Sequence, residues 1–492
     1  MKNRVIAVLS TLLLCCSLGA QNIRYNIEAA TTLAGNDTPP TWHLSMRQGL
    51  SGDIAKFGYT RAGLAGNHTL NKDFSLDWAA DIVAGYNLSS TVYIQQAFAD
   101  INWKMFTASF GQKERWGDLK NHRLSTGSLT ESGNARPIPQ VRIEVPDYYD
   151  FFGTNGWFKL RGHLAYGWFS DGEWQKDWVA EGNAHTTGVR YHSKAIFFKI
   201  GKKETHPLSL EWGLHMVAQF GGAVYNKENT PGKNGKNPNR WSDYFKVFVP
   251  SSGDSEYSGM DQANIAGNHL GSWHAALNWE NKDFNIRTYY EHVFDDHSQM
   301  FMEYGLWTEQ LVGIELELKN FKWMKGIAIE YFNLKNQTGP VYHDTTNKIP
   351  DQVSCRDNNY NHEWYGGWFN YGLNIGTPLA TSPVYNEDRK MECSNNRVEA
   401  FHIGIEGEPW KEIGYRMLLT HTNNWGTYNV PFTEIKSNTA GIVELTYKPA
   451  KLAGWAVKAS YAFDNGNLHG NNRSGMLTIS KCGIIDIKSK RK

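Results

Sequence analysis

GWFKLRGHLAYGWFSD, residues 156–171, separates into two faces when every second residue is taken. Phe158, Leu160, Leu164, Tyr166 and Trp168 fall on one face; Trp157, Lys159, Arg161, His163 and Ala165 fall on the other. Successive side chains of a β-strand alternate between faces, so the stretch predicts a strand apolar on one side and polar on the other. Two settings suit such a strand. In a soluble sandwich the apolar face packs on a second sheet. In an outer-membrane barrel it meets lipid, and the polar face lines a lumen.

Residues 208–221 carry the longer version of the pattern. Leu208, Leu210, Trp212, Leu214, Met216, Ala218 and Phe220 form an unbroken apolar face against Ser209, Glu211, Gly213, His215 and Gln219. This run outlasts the ~5–6 residues of an ordinary sandwich strand. At about 3.3 Å per residue and strongly tilted, it crosses an apolar band of about 25 Å. Similar alternation marks residues 25–32, 56–66, 75–87, 92–103, 105–112, 194–202, 272–280, 284–294, 310–319 and 326–334. It returns at 398–406, 414–421, 440–447, 455–463 and 475–484. The spacing predicts about 17 to 19 strands in all, joined by short and long connections in mixture. No self-similar repeat of the propeller kind appears. Closure into a barrel removes the sheet edges that so many strands create. The expectation is an all-β, transmembrane antiparallel barrel occupying residues 21–492 as one domain.

The alternation stops in two long places. Residues 113–149 carry charge, Gly, Ser and the prolines Pro137, Pro139 and Pro146, so they are not a central strand throughout. So long a structureless stretch is uncommon without a task, and inside a wide barrel the task is to plug the lumen. Residues 335–396 form a second, aromatic insertion. Cys355 and Cys393 flank its centre, and in an oxidising compartment they are candidates for a disulfide.

Residues 1–20, MKNRVIAVLSTLLLCCSLGA, pair a basic start with a short apolar run and small residues, the anatomy of a signal peptide. The formal net charge of +1 stays near zero once Lys2 and Arg4 leave, and no basic tract points to nucleic acid. The mean hydropathy of −0.53 does not exclude a membrane barrel, whose apolar residues occupy alternate positions. The 19 Trp, 24 Tyr and 23 Phe suit the aromatic girdles of one. The expected location is the bacterial outer membrane, with its lipid as one partner.

Several segments together resemble the Wzi-type capsule assembly family of outer-membrane proteins. They are TGSLTESGNARPIPQVRI (126–143), TPPTWHLSMRQGL (38–50), EHVFDDHSQM with the following GLWTEQLVGIEL (291–316), and NHEWYGGWFNYGLNIGTPL (361–379). Residues 155–169 and 475–484 fit as well, and Gln299 stands where the family has glycine. The resemblance implies a barrel of about 18 strands with an obstructed lumen. It also implies a non-enzymatic, lectin-like role that attaches exported capsular or surface polysaccharide to the cell.

The chemical constellations point the same way. Asp295, Asp296 and His297 are adjacent on an extended chain and point apart, so they read as a polar loop rather than a metal or acid–base site. Glu315 and Glu317 share a strand face at about 6–7 Å, a spacing that would interest a glycosidase. Alternate acids are also what a polar lumen presents, and with nothing else here that builds a sugar-cleaving site the lumen is the favoured reading. His163, His215, His274 and His402 sit on polar strand faces without the spacing of a local metal motif. No catalytic residue, metal or cofactor is predicted. The polysaccharide-binding candidates are Trp364, Tyr365, Trp368, Phe369 and Tyr371, aromatic faces interleaved with His362, Glu363, Asn370 and Asn374. An open porin and a secreted glycan-active enzyme remain the competing readings.

Overall fold

The computed structural model describes residues 22–34, 38–226, 235–254, 257, 265–295, 297–303, 305–337, 341–343, 353–355 and 357–486. The signal peptide, residues 1–20, lies outside them. Eighteen strands form one antiparallel sheet. The first nine are β1 (Asn22–Ala34), β2 (Gly58–Thr69), β3 (Phe74–Tyr86), β4 (Val92–Trp103), β5 (Phe106–Gln112), β6 (Gln140–Tyr149), β7 (Phe158–Trp168), β8 (Arg190–Ile200) and β9 (Leu208–Phe220). The rest are β10 (Asn268–Glu280), β11 (Phe284–Phe294), β12 (Gln310–Leu318), β13 (Gly326–Asn333), β14 (Val398–Trp410), β15 (Ile413–Gly426), β16 (Pro431–Tyr447), β17 (Trp455–Gly466) and β18 (Arg473–Asp486). Each pairs with its neighbours in sequence, and β18 returns to β1 from Asn22↔Asp486 to Ala34↔Ser474. The sheet is closed.

Parity decides the two faces. On β9 Leu208 and Leu210 are exposed, while Ser209, Glu211, His215 and Gln219 are buried. On β7 Leu164 and Trp168 are exposed and Ala165 is buried. The apolar face of the quoted stretch therefore points out of the barrel and the polar face points in. Ile196, Leu277, Ile314, Ile329, Met417, Leu419, Val443, Leu477 and Ile479 continue the outward belt around the wall. Short turns (70–73, 104–105, 281–283, 411–412) cluster at one end, and the long connections leave from the other.

Residues 113–149 divide. Residues 113–139 enter the lumen, but Gln140–Tyr149 is barrel strand β6, which the prolines concealed. Pro146 sits in a register shift between Val145 and Tyr149 of the β6–β7 ladder. A bulge has no ladder bond at that position for proline's missing N–H to break. The described residues 357–396 of the second insertion likewise turn inward, with Trp364, Trp368, Asn370 and Asn374 buried.

Cys393 is a free, buried thiol whose Sγ donates to the Asn395 carbonyl at 3.2 Å, and burial pushes it up to about 12. The side chain of Cys355, its expected bridging partner, lies outside the described residues. Cys482 has the lumen parity of β18 and is exposed near the short-turn end.

Candidate functional site

Three stretches meet inside the barrel: residues 38–52, 113–139 and 357–397. Asn134 ties them together. Its Oδ1 accepts from Met46 N–H at 2.9 Å, its carbonyl from Gly49 N–H at 3.0 Å, and its Nδ2 donates to the Asn374 carbonyl at 2.8 Å. Beside it Ser132 Oγ donates to the Gly376 carbonyl (2.5 Å) and Asn370 Nδ2 to that of Arg136 (2.8 Å). Gly133 holds a φ of +85°, and a Cβ there would press into Gln48 and Trp116.

The wall fastens this plug with inward carboxylates. Glu291 on β11 forms an ion pair with Lys120 and accepts from Ser128 Oγ (2.6 Å) and Leu129 N–H (2.9 Å). Glu330 on β13 accepts from Thr126 N–H, and Glu315 on β12 from Asn121 N–H, at 2.7 and 2.6 Å. Backbone N–H groups that would be orphaned in an interior chain are thus satisfied. Glu315 and Glu317 are lumen groups: the second accepts from Asn285 at 2.7 Å. The four strand histidines also make lumen hydrogen bonds. His163 and His215 lie 2.8 and 3.0 Å from Ser193 Oγ, His274 lies 2.9 Å from Ser272 Oγ, and His402 lies 2.7 Å from both Thr420 Oγ1 and the Leu124 carbonyl. Of the loop cluster, Asp295 N–H donates to Gln299 Oε1 (2.6 Å) and His297 lies 3.7 Å from Glu303, while Asp296 lies outside the described residues.

Two plug carboxylates titrate low. Burial pushes Asp118 upward, but Arg161 at 2.7 Å outweighs it; burial also raises Glu131, and the bonds from His215 and Tyr191 outweigh that. Apolar packing completes the seal. Leu124 lies among Trp42, Ala328, Leu418 and Ala440, and Leu129 joins the main core. Each such buried leucine contributes about 1.5–3 kcal/mol. Charged chambers of ≈ 370 and ≈ 540 Å³ flank the plug; Arg115, Arg142 and Arg161 line the first, Glu406, Arg416, Glu444 and Lys458 the second.

Four of the five aromatic candidates belong to that packing. Trp364, Tyr365, Trp368 and Phe369 are 1–4 % exposed. Trp368 donates to the Thr130 carbonyl at 2.8 Å and stacks on Tyr191 at 6.2 Å; Tyr365 accepts from Asn237 at 2.7 Å. They fasten the insertion to the plug and wall, so none presents a free face to a sugar from outside. Aromatic density in a sequence does not distinguish a binding platform from a core, and here the four side chains are packed.

Tyr371 alone reaches a surface cleft, one that the sequence reading missed. The cleft, ≈ 260 Å³, opens at the long-connection end between residues 44–53, 88–89, 174–178, 371–373 and 389. Its wall is the short helix α1 (Gly172–Trp178), whose Trp174 and Trp178 share one side by their i, i+4 spacing. The two indoles stack at 5.3 Å and 18°, and Tyr371 meets Trp174 at 6.0 Å. Asp171 accepts both Gln175 Nε2 and Tyr371 N–H at 3.0 Å, locking the helix to the insertion; burial raises its carboxyl. Asp53, Asp177 and Arg389 supply polar edges, with Trp178 Nε1 donating to Asp53 at 3.3 Å. The readable signal was WQKDW itself, two tryptophans one helical turn apart.

No protein-family model matches the chain, and no curated protein matches it. Among solved structures it is similar in fold to Wzi of Escherichia coli, described as an outer membrane protein involved in group 1 capsule assembly and a carbohydrate-binding β-barrel. The TM-score is 0.57 over 96% of this chain and 87% of that one, at 13% identity. OccAB4 of Acinetobacter baumannii superposes at TM-score 0.46 and 9% identity over 94% and 98% of the two chains. OpdL of Pseudomonas aeruginosa does so at 0.46 and 8% over 95% and 99%. A closed barrel of 18 antiparallel strands with an outward apolar belt has the architecture of a bacterial outer-membrane barrel.

Proposed function

We propose that this barrel is a non-enzymatic holder of exported capsular or surface polysaccharide, and that the Trp174–Trp178–Tyr371 cleft is where it grips the polymer. The observation that carries the reading is the stacked indole pair, half-buried yet lining an open cleft, with carboxylates and a guanidinium at its edge. Sugar rings present apolar C–H faces and hydroxyl rims, and such a cleft offers a surface for each. The plug supports the same reading, because a filled lumen suits a barrel whose work is done at its mouth. One indole contributes a few kcal/mol at most, at about 25 cal/mol per Å² removed from water. A polymer repeats its epitope, and repeated weak contacts add up to firm retention.

The test is Trp174→Ala with Trp178→Ala in cells. The variant should assemble normally, yet shift polysaccharide from the cell-bound to the released pool with total synthesis unchanged. Unchanged retention together with impaired uptake of small hydrophilic solutes would reject the role and favour a porin.

A further inference from the structure

The long connection between β9 and β10 contains a helix, α2 (Trp241–Phe248), that lies on the outside of the barrel. Tyr244 packs on Phe220 at 4.9 Å and on Tyr166 at 5.3 Å, and Tyr166 Oη donates to the Tyr244 carbonyl at 2.9 Å. Val247 closes a small cluster with Ala218 and Phe220. Tyr166, Ala218 and Phe220 all have outward parity, in series with the exposed Leu164 and Leu210.

The wall needs covering there. The outward row Gly162–Ile196–Leu214 belongs to the apolar belt, but the next two rows carry Lys194 and His192. Polar groups facing hydrocarbon are costly. The helix removes both from that fate: Lys194 Nζ donates to the Val247 carbonyl at 3.4 Å and to that of Phe248, and His192 lies edge-on to Phe248 and is 1 % exposed.

Having covered the gap, the helix presents an apolar stripe of its own. Trp241, Phe245, Phe248 and Val249 occupy the i, i+4, i+7 and i+8 positions and are 84, 72, 41 and 64 % exposed. Ser242 and Lys246 lie on a third side, where Lys246 pairs with Asp254 at 3.0 Å. One side of α2 thus grips the wall, one is apolar and open, and one is polar. An amphipathic helix with aromatic residues on its open side suits the boundary between headgroups and acyl chains. Long connections of outer-membrane barrels face the exterior.

We infer that α2 is a lateral anchor that lies in the lipid boundary of the outer leaflet, extending the belt beyond the strands with Trp241, Phe245 and Phe248. The occupant of the stripe is lipid because the helix that carries it packs on Tyr166, Ala218 and Phe220, which belong to the face by which the barrel meets the membrane.

The test places a nitroxide at Phe245→Cys in a background carrying Cys355→Ser, Cys393→Ser and Cys482→Ser. The protein is reconstituted in phosphatidylethanolamine–phosphatidylglycerol vesicles, with its fold checked by heat-dependent gel migration. Collisions with oxygen and with a water-soluble nickel chelate are compared against labels at Leu210→Cys, on the belt, and Ser242→Cys, on the polar side of the helix. The anchor predicts an oxygen-to-nickel ratio at 245 several-fold above that at 242 and close to that at 210. A ratio equal to that at 242 would overturn the proposal. Shielding from both reagents would overturn it too, by pointing to a second protein copy on the stripe. The same label at Trp241→Cys repeats the measurement if the first variant does not fold.

Discussion

Glu291 shows what an inward carboxylate does in this barrel. Fully buried, it receives Lys120, Ser128 and Leu129 of the plug at once. Glu291→Gln removes the counter-charge and leaves a buried ammonium, a loss of about 3–5 kcal/mol. The variant's folded form should be lost at a lower temperature in a heat-modifiability series, while Glu291→Asp should recover part of the difference. The plug's own carboxylates set a pH dependence. Asp118 and Glu131 have depressed values in the folded state. A depressed carboxylate contributes stability that is present above its unfolded value, about 4, and is lost as pH falls through the folded one. Conductance of the reconstituted protein should therefore stay flat from neutral pH down to about 5 and rise only below about 4. On the outer face, which strand parity sets, a charge meets lipid and is costly. Leu214→Arg near the bilayer midplane should cost about 2–4 kcal/mol, measured by urea unfolding from vesicles. That parity was legible in the sequence, because strand alternation separates Leu214 from His215 whatever surrounds them. What the inward residues bond to was not legible, since Glu291 and Lys120 stand far apart in the chain and only closure brings them together.

At the scale of elements, seventeen strands could be read from alternation, and the eighteenth, β6, could not. Its VRIEVPDYY run alternates only in part, and Pro146 reads as a strand breaker until a partner shows that it sits in a bulge. α1 and α2 escaped for a related reason. Each has about two turns, too short for periodicity to stand out from loop composition, yet one builds the candidate cleft and the other the lateral anchor. The buried aromatics mark the opposite failure. WYGGWF has the composition of a sugar platform, and only the surrounding plug and wall show that Trp364 and Trp368 are core. Of the segments that carry the family resemblance, 38–50, 126–139 and 361–379 meet inside the barrel, while 140–143, 155–169, 291–316 and 475–484 belong to its wall strands and their connections.

For the whole molecule the plug is the feature that favours the proposed holder over an open pore. A barrel of 16–18 strands left empty encloses an aqueous channel. Here residues 38–52, 113–139 and 357–397 occupy that space, fastened to the adjacent strands β12, β13 and β14 and, across the barrel, to β4 through Gln95, which donates to the Gln48 carbonyl. The proposed holding of polysaccharide accordingly belongs at the outer mouth. Planar-bilayer conductance of the purified intact chain tests this most directly, set beside a variant lacking residues 119–132. The account predicts little current from the intact protein and a clear rise on deletion; a large, steady current through the intact protein would contradict it.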